Sequence, residues 1–459
     1  MGGGPDPAQG VRADELVEEL RERGVEAVAL AFTDPSSIVR VKCVPLGRYA
    51  AAARTGVGLS TIFAVALAND EFTSAPGFVE GPSGDLRLVP DPDATVPLAA
   101  MPGWAWAPVE QYTQEGAVWG GCPRSFLRRM TNALEAEGLI VRAAFEFEFS
   151  LGGDDGNGDA TPAHRGPGYS DVVLAQHHEL ALDLIRAYQA QAFDVQQFHP
   201  EYTDGQFEIS VAPRDPLAAA DLVGVMKETT RAVAKRYGWR ASFSPRTFGV
   251  VGNGLHLHLS VWDGDRNLFA GGDAAGGMDL RGEAFVAGLF DDLPALVGVT
   301  CPSPLSYRRL QPHHWSGATL CWGAENREAA LRFITGMVGT ENRAANIEVK
   351  PVDATCNPYL AIGALLAAGL DGLRRGARLP PPTVEDPGEV SAEEQRARRM
   401  RQLPASLPEA TAELAKSSVL RKAMGDLLFE TFVATRRGDH EQLAELAEED
   451  LVRLLRWRF

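Results

Sequence analysis

The chain is 459 residues long and carries 61 acidic against 44 basic residues, which gives a formal net charge of −17. Its length exceeds one compact domain of about 100–200 residues and predicts two or three domains with a large core. The negative charge disfavours nucleic acid and anionic membrane as main partners, but it permits carboxylates clustered around a metal ion.

The termini and the cysteines predict a cytoplasmic protein. The first residues have neither the basic nor the apolar region of a signal peptide. The longest apolar run, residues 360–370, is shorter than the ~20 residues of a membrane span and is expected to be a buried helix. Five dispersed cysteines without CxxC spacing are expected to be reduced thiols in the core.

The amino-terminal part is expected to form a small α+β domain over residues 13–112. Residues 1–12 are predicted to be a disordered tip, and Ala13–Arg23 has the apolar stripe of an amphipathic helix. Two β-rich runs follow, Val25–Phe32 and Ile38–Val44, joined by a turn rich in Asp, Pro and Ser.

A larger domain is expected over residues 118–459. Its strands and helices mix without strict βαβ alternation, which predicts the α+β class rather than a doubly wound sheet. The Gly- and Asp-rich segment Gly152–Gly168 is expected to be a mobile surface loop. Helices are predicted over 123–138, 172–191, 217–237 and 409–456, and strands over 139–151, 195–198, 206–211, 239–243 and 255–262.

One strand places two carboxylates on the same face. In the run Phe145–Phe149, aromatic residues alternate with glutamates, so Glu146 and Glu148 share one side of the strand, roughly 6.5–7 Å apart. Two carboxylates at this separation repel each other. They need a cation, a proton or open water between them.

Further polar residues in β-rich runs repeat this arrangement. His199 and Glu201 end one run, and Glu208 lies in the next, so a hairpin would bring the two glutamates together. The run from Gly252 to Ser260 alternates His256, Leu, His258, Leu, Ser260, and Glu348 lies between two apolar neighbours.

Each of these segments alone is typical of a solvated polar face. Taken together, their apolar flanks predict burial, and unpaired buried carboxylates cost several kcal/mol each. The set therefore favours a metal centre. Ligands that are mostly oxygen with a minority of imidazole favour Mg²⁺ or Mn²⁺ over Zn²⁺ or copper.

Arginines form a second group, in Tyr307–Leu310 and Asn326–Arg332. On a helix such arginines usually face solvent. Beside divalent ions they suit phosphoryl transfer, where cations stabilise charge on the transferred group. The sequence has no Walker A motif, and Gly249–Gly254 does not satisfy GxGxxG.

These motifs, in this order, resemble the type I branch of the glutamine synthetase superfamily over nearly the full chain. Among its members, the resemblance extends to enzymes that join glutamate to amines, polyamines or ethanolamine. The residues that carry it are Glu146/Glu148, His199/Glu201, Gly205–Glu208, Gly252–Ser260, Asn326/Arg327, Ile347–Val349 and Asn357–Tyr359.

The resemblance implies two Mg²⁺ or Mn²⁺ ions per active site, with room for a third, and ATP as co-substrate. One metal ion would face the amino-acid substrate and the other would face the nucleotide phosphates. The implied ligands are Glu148, Glu201 and Glu208 for the first ion and Glu146, His256 and Glu348 for the second.

The resemblance also assigns roles to other side chains. Arg309, with Gly252 and Lys350, would bind glutamate, while Arg327 and Arg332 would face the phosphates and the acyl-phosphate intermediate. The nucleotide side would be formed by His258, Ser260, Asn346 and Arg327. The implied fold is a β-grasp domain followed by a catalytic domain with a curved antiparallel sheet, in a homododecamer of two hexameric rings.

Two departures from the family bear on the amine. Ala64 and Trp315 stand where ammonium-using members carry carboxylates. Ala and Trp suit an amine with an organic body better than a small hydrated cation. Asp70 could replace the first carboxylate, and His313 or His314 could act as the base.

The resulting hypothesis is an ATP-dependent ligase that joins glutamate to an organic amine through γ-glutamyl phosphate. One alternative is glutamine synthetase itself, which uses ammonia. The other is a non-catalytic assembly protein with the same fold.

Overall fold

The computed structural model describes residues 7–78, 84–154, 159–249 and 252–459. The helices are α1 Pro7–Glu22, α2 Leu46–Thr55, α3 Pro123–Glu135, α4 Asp171–Ala190, α5 Pro216–Arg236, α6 Leu280–Thr300, α7 Ser306–Arg309, α8 Glu341–Ala344, α9 Pro358–Arg375, α10 Ala392–Ala397, α11 Leu407–Lys416, α12 Ser418–Met424, α13 Asp426–Leu443 and α14 Glu448–Leu455. The strands are β1 Ala27–Thr33, β2 Val39–Pro45, β3 Val57–Ser60, β4 Asp85–Pro90, β5 Val96–Pro97, β6 Trp104–Tyr112, β7 Ile140–Asp154, β8 Ala160–Pro162, β9 Val195–Pro200, β10 Gln206–Val211, β11 Arg240–Ser242, β12 Leu257–Asp263, β13 Arg266–Asn267, β14 Thr319–Ala324, β15 Ala329–Ile334, β16 Asn346–Val349 and β17 Arg401–Gln402.

The first six strands form a separate sheet in the order β2-β1-β6-β4-β3, with β5 also on β6. The central pair β1 and β6 is parallel, and its neighbours are antiparallel. Helices α1 and α2 share a core with this sheet, which includes the buried Leu20, Val28 and Tyr49. The domain division at residues 112–118 stays a prediction, which this distribution of strands supports.

The larger sheet has eleven strands, with the path β17-β14-β15-β16-β12-β7-β10-β9. Strands β14 and β15 pair in parallel, whereas the other neighbours along the described sheet are antiparallel. The expected α+β class, with its mostly antiparallel catalytic sheet, is confirmed. The long strand β7 lies in the middle and pairs with both halves of the sheet.

Helices cover the apolar face of this sheet, and α9, the expected buried helix, packs against α6. Their close approach depends on glycine, because a Cβ on Gly288 would lie 2.2 Å from the Ala368 carbonyl oxygen. Phe145 and Phe147 of β7 are fully buried in the same core. In the part of the chain that the structure describes, no helix is long and apolar enough to cross a membrane.

Three expectations about local structure are corrected. Helix α1 begins at Pro7, so residues 7–12 are helical rather than a disordered tip, and residues 1–6 lie outside the described residues. The segment Gly152–Gly168 is not simply a loop, since β8 within it pairs with the end of β7. Cys43 is exposed on β2, whereas the other four cysteines are buried.

Candidate active site

Two rows of polar side chains cross the large sheet, because the register of strand pairing places them opposite one another. On one side of β7, Glu148 lies opposite Glu208 of β10, which lies opposite His199 of β9. On the other side, Glu348 of β16 lies opposite both Arg332 of β15 and His258 of β12. Directly opposed residues in an antiparallel pair have Cβ atoms about 4.5–5.5 Å apart. The pairing therefore gathers residues that are far apart in sequence.

The alternation predicted for Phe145–Phe149 is observed in β7. The phenylalanines face the core, where Phe147 and Phe243 have ring centroids 5.0 Å apart. Glu146 and Glu148 project to the opposite face. The aromatic side fixes the strand, and the carboxylate side faces the cleft.

Glu146, His258 and Glu348 form one group whose potential ligand atoms lie within 4.8 Å of one another. Glu146 also contacts the predicted ligand His256, whose Nδ1 is 2.9 Å from a Glu146 oxygen and 3.4 Å from a Glu348 oxygen. His258 Nδ1 is 2.9 Å from Asn346 Oδ1, which orients its ring. Both histidines of the alternating run therefore reach this group.

His199, Glu201 and Glu208 form a second group, again with ligand atoms within 4.8 Å. His199 Nε2 is 3.0 Å from a Glu201 oxygen and 3.7 Å from a Glu208 oxygen. Glu148 was predicted as the third ligand here. Its carboxylate accepts hydrogen bonds from Gln206 Nε2 at 2.6 Å and the Gly254 N–H at 2.9 Å, which hold it beside this group.

The two groups differ in their electrostatics. Burial, together with the surrounding carboxylates, raises the pKa of Glu208 to about 10. Burial also acts to raise the pKa of Glu348, but Lys350 and the two histidines outweigh it and lower that pKa to about 2. Glu208 therefore has too little positive charge around it. A divalent cation held by oxygen-rich ligands would remove this repulsion, so the group around Glu208 fits a divalent metal ion.

Cationic side chains lie beside these carboxylates and histidines. Arg309 is buried, its Nη2 is 2.8 Å from His256 Nε2, and its Nη1 has no hydrogen-bond partner within the described chain. Arg332 pairs with Glu348 at 3.0 Å, as does Lys350. Arg309 lies in the short helix α7 and Arg332 on β15, so neither has the solvent-facing helical position that was the alternative interpretation.

These residues surround an open cleft of about 750 Å³. Of the predicted site residues, the cleft is lined by Glu146, Glu148, Glu201, Glu208, Gly252, His256, Arg309, His314, Trp315, Arg327, Arg332, Glu348 and Lys350. His258 and Asn346 lie behind it, in contact with each other. Ser260 lies on β12, as His258 does, and its hydroxyl accepts a hydrogen bond from Trp262 Nε1.

The predicted amine pocket comes together only in part. Trp315 and His314 line the cleft, whereas His313 is largely exposed and lies 3.4 Å from Asp386. Ala64 lines a different cavity of about 20 Å³, beside Phe63. Asp70 forms ion pairs with Arg40 and Arg458. Within one chain, neither Ala64 nor Asp70 reaches the cleft.

Sequence reasoning missed several residues of the cleft wall. Tyr202 follows Glu201 directly, so its place near the ligands could have been inferred from the motif. Tyr169 lies just beyond the segment expected to be a mobile loop, and nothing in the sequence pointed to it. Gln206 belongs to the Gly205–Glu208 motif, and the motif alone does not indicate that its amide holds Glu148 in place.

Three comparisons with known proteins give one result. The model for the glutamine synthetase catalytic domain matches residues 120–453. The chain is 46% identical to the gamma-glutamylpolyamine synthetase GlnA3 of Streptomyces coelicolor, covering 99% of this chain and 98% of that protein. It is 32% identical to glutamine synthetase of Thermotoga maritima, covering 81% and 85%.

Solved structures agree with the sequence matches. A novel glutamine synthase homologue superposes with a TM-score of 0.84 at 32% identity, covering 95% of this chain and 99% of that one. A GmaS complex with ADP superposes with a TM-score of 0.82 at 28% identity, covering 95% and 98%.

Proposed function

The chain belongs to the glutamine synthetase family, and we propose that it is the member that joins the side-chain carboxylate of glutamate to an organic amine. It is an ATP-dependent ligase. In the proposed reaction, ATP phosphorylates the γ-carboxylate of glutamate, and the amine displaces phosphate from the acyl phosphate to form a γ-glutamyl amide. ADP and phosphate leave.

The cationic residues that line the cleft suit these reaction steps. Arg309 lines the cleft, and its buried Nη1 has no hydrogen-bond partner within the described chain, which suits a substrate carboxylate. Arg327 and Arg332 line the cleft where the phosphate that is transferred would lie. His258 and Asn346, in contact behind the Glu348 row, support a nucleotide side there.

The two carboxylate groups would hold Mg²⁺ or Mn²⁺. When bound, the ions would supply charge neutralisation for the phosphate groups of ATP. The proposed ligands remain Glu148, Glu201 and Glu208 for one ion and Glu146, His256 and Glu348 for the other. His199 and His258 lie close enough to join them.

The position of Trp315 in the cleft is the observation that favours an organic amine over ammonia as the substrate. Trp315 lines the cleft at the position where ammonium-using members carry a carboxylate, and the residue is 51% exposed. A large aromatic ring offers contact area to the carbon atoms of an organic amine, which a free ammonium ion lacks. The resemblance to a gamma-glutamylpolyamine synthetase supports the same choice.

We also propose a cytoplasmic homododecamer of two hexameric rings, on the basis of the family resemblance.

The test is ADP release with glutamate, ATP, Mg²⁺ or Mn²⁺ and a panel of ammonium, methylamine, butylamine and 1,4-diaminobutane. We expect at least one organic amine to exceed ammonium in kcat/KM by about tenfold or more, the scale on which an apolar pocket discriminates. Ammonium exceeding every organic amine would make the chain a glutamine synthetase. No amine-dependent ADP release with either metal would favour a non-catalytic assembly protein.

A second test removes one of the proposed metal ligands and compares it with a control variant outside the cleft. Glu348→Ala is expected to abolish ADP release with every amine, because Glu348 lies between Arg332, Lys350 and the histidines. Glu389→Ala, an exposed carboxylate outside the cleft, is expected to leave activity unchanged. Activity retained in Glu348→Ala would refute the proposed metal site.

A further inference from the structure

Three aromatic rings form a row along one wall of the cleft. Tyr169 stacks on His199, with ring centroids 4.6 Å apart and planes at 20°. Tyr202 meets Tyr169 edge to face at 5.4 Å, and Trp315 meets Tyr202 at 6.2 Å and 84°. All four residues line the cleft. The row begins at the His199, Glu201 and Glu208 group and leads outward from it.

The three aromatic residues of this row are exposed. The exposed fractions are 58%, 62% and 51% for Tyr169, Tyr202 and Trp315 respectively. A contiguous exposed aromatic surface that lines a cleft marks a binding surface more often than an accident of packing.

The backbone under this row is held in unusual conformations. Tyr169 has φ of 57° and Trp315 has φ of 51°, in the left-handed region that bulky residues rarely adopt. Gly168 packs so closely that a Cβ there would lie 2.8 Å from the Tyr202 ring. Strained conformations persist where the surrounding structure enforces them, and they concentrate at ligand sites.

Hydrogen bonds fix the same segments. The Tyr169 N–H donates to the Pro200 carbonyl oxygen at 3.1 Å, and its hydroxyl donates to a Glu201 oxygen at 2.6 Å. The Tyr202 N–H donates to the other Glu201 oxygen at 2.9 Å, and the Trp315 N–H donates to Glu328 at 3.0 Å. The rings are therefore preorganised, and each is anchored beside a carboxylate.

The chemistry of a diamine matches this arrangement. The amine that attacks the acyl phosphate must be neutral, whereas a second alkylamine on the same molecule stays protonated at neutral pH, as a lysine does. An alkylammonium ion is attracted to the face of an aromatic ring within about 6 Å of its centroid. The carbon chain between the two amines would pack along the rings.

We infer that Tyr169, Tyr202 and Trp315 form a subsite for the distal ammonium group of a diamine or polyamine, and that they determine amine specificity. The inference rests on the proposed function, since the other amine of the same molecule must react at the metal groups. In this inference, the three aromatic rings are the reason why the enzyme prefers an amine that carries a second positive charge.

The test compares 1,4-diaminobutane with butylamine, which has the same carbon chain and lacks the second amine. The wild-type protein should prefer the diamine by about fivefold in kcat/KM, the upper scale of a cation–π contact at an exposed site. Tyr202→Ala should remove most of that preference, because kcat/KM for the diamine should fall by a larger factor than kcat/KM for butylamine. Tyr202→Phe, which keeps the ring, should retain the preference, and Trp315→Ala and Trp315→Phe should behave in the same way.

Two results would overturn the inference. The first is a wild-type protein that uses butylamine as well as the diamine. The second is an equal loss for both amines in Tyr202→Ala and Trp315→Ala, which would show that the rings only support the wall. Failure of the proposed function is distinguishable from both, because in that case wild-type ADP release would respond to ammonium and to neither organic amine.

Discussion

Gly254 shows how little free space the ligand side chains leave between them. A Cβ at this position would lie 2.7 Å from Arg309 Nη2, 2.8 Å from Glu148 Oε1 and 2.9 Å from His256 Nε2. Its N–H also donates to Glu148. Any side chain at position 254 must therefore displace residues of both predicted metal sets and the predicted glutamate-binding arginine.

Gly254→Ala is expected to lower kcat/KM by about 100-fold, the cost of misplacing reacting groups by about 1 Å. Steady-state ADP release measures the effect. The control is Gly47→Ala in α2, where a Cβ would meet nothing within 4 Å. Equal activity in the two variants would contradict the crowded geometry.

At the scale of single elements, α5 carries a buried amine under the sheet. Lys227 is fully buried, and its Nζ donates to the Ala354 carbonyl oxygen at 2.7 Å. Burial lowers its pKa to about 7. A lysine in the unfolded chain has a pKa of about 10.4. Between pH 7 and this value, the unfolded chain therefore binds more protons than the folded protein. The folded state gains stability as pH rises through that range.

Lys227→Met is expected to remove this pH dependence. For the wild-type protein, the contribution of Lys227 to the free energy of unfolding should rise with pH above 7, by at most ~1.4 kcal/mol per pH unit. Urea unfolding from pH 7 to pH 10 measures the slope. Lys235→Met, on the exposed side of α5, is the control. An unchanged slope in Lys227→Met would show that this amine is not the group responsible.

The elements of the catalytic sheet were largely predictable, but their pairing was not. Alternation of apolar and polar residues placed Glu146 and Glu148 on one face of β7, and the structure agrees. Alternation is local, so it could not show that His199 lies opposite Glu208 or His258 opposite Glu348, which depends on tertiary pairing of distant strands. The motif resemblance supplied the ligand residues, and the register shows how they meet.

Tyr169 shows what sequence reasoning could not reach. It lies in a segment rich in Gly and Pro, and that composition predicts only a turn or loop. Its place in the cleft depends on a left-handed backbone and a hydrogen bond to Pro200, which is 31 positions away in the chain. Such a contact has no local signature.

At the scale of the whole molecule, helix α13 ties the amino-terminal part to the catalytic part. Arg436 is buried and donates to the Pro35 and Pro302 carbonyl oxygens at 3.2 and 2.9 Å. It also pairs with Asp439 at 3.0 Å, and Asp439 accepts the Ala68 N–H at 2.8 Å. One ion pair therefore joins segments from both ends of the sequence.

Arg436→Met is expected to destabilise the protein by about 3–5 kcal/mol, because it leaves the buried Asp439 without its cation. The measurement is the free energy of unfolding in urea. Arg437→Met, its exposed neighbour on α13, should change stability by less than about 0.5 kcal/mol. Equal stability of the two variants would mean that the buried pair does not hold the two parts together.

The central claim, that the ligase prefers an organic amine to ammonia, is tested most directly by a competition followed by mass spectrometry of the products. The protein is given glutamate, ATP and Mn²⁺ with equal concentrations of ammonium and 1,4-diaminobutane. We predict γ-glutamyl-diaminobutane as the main product, with glutamine a minor one. Glutamine as the main product would contradict the account.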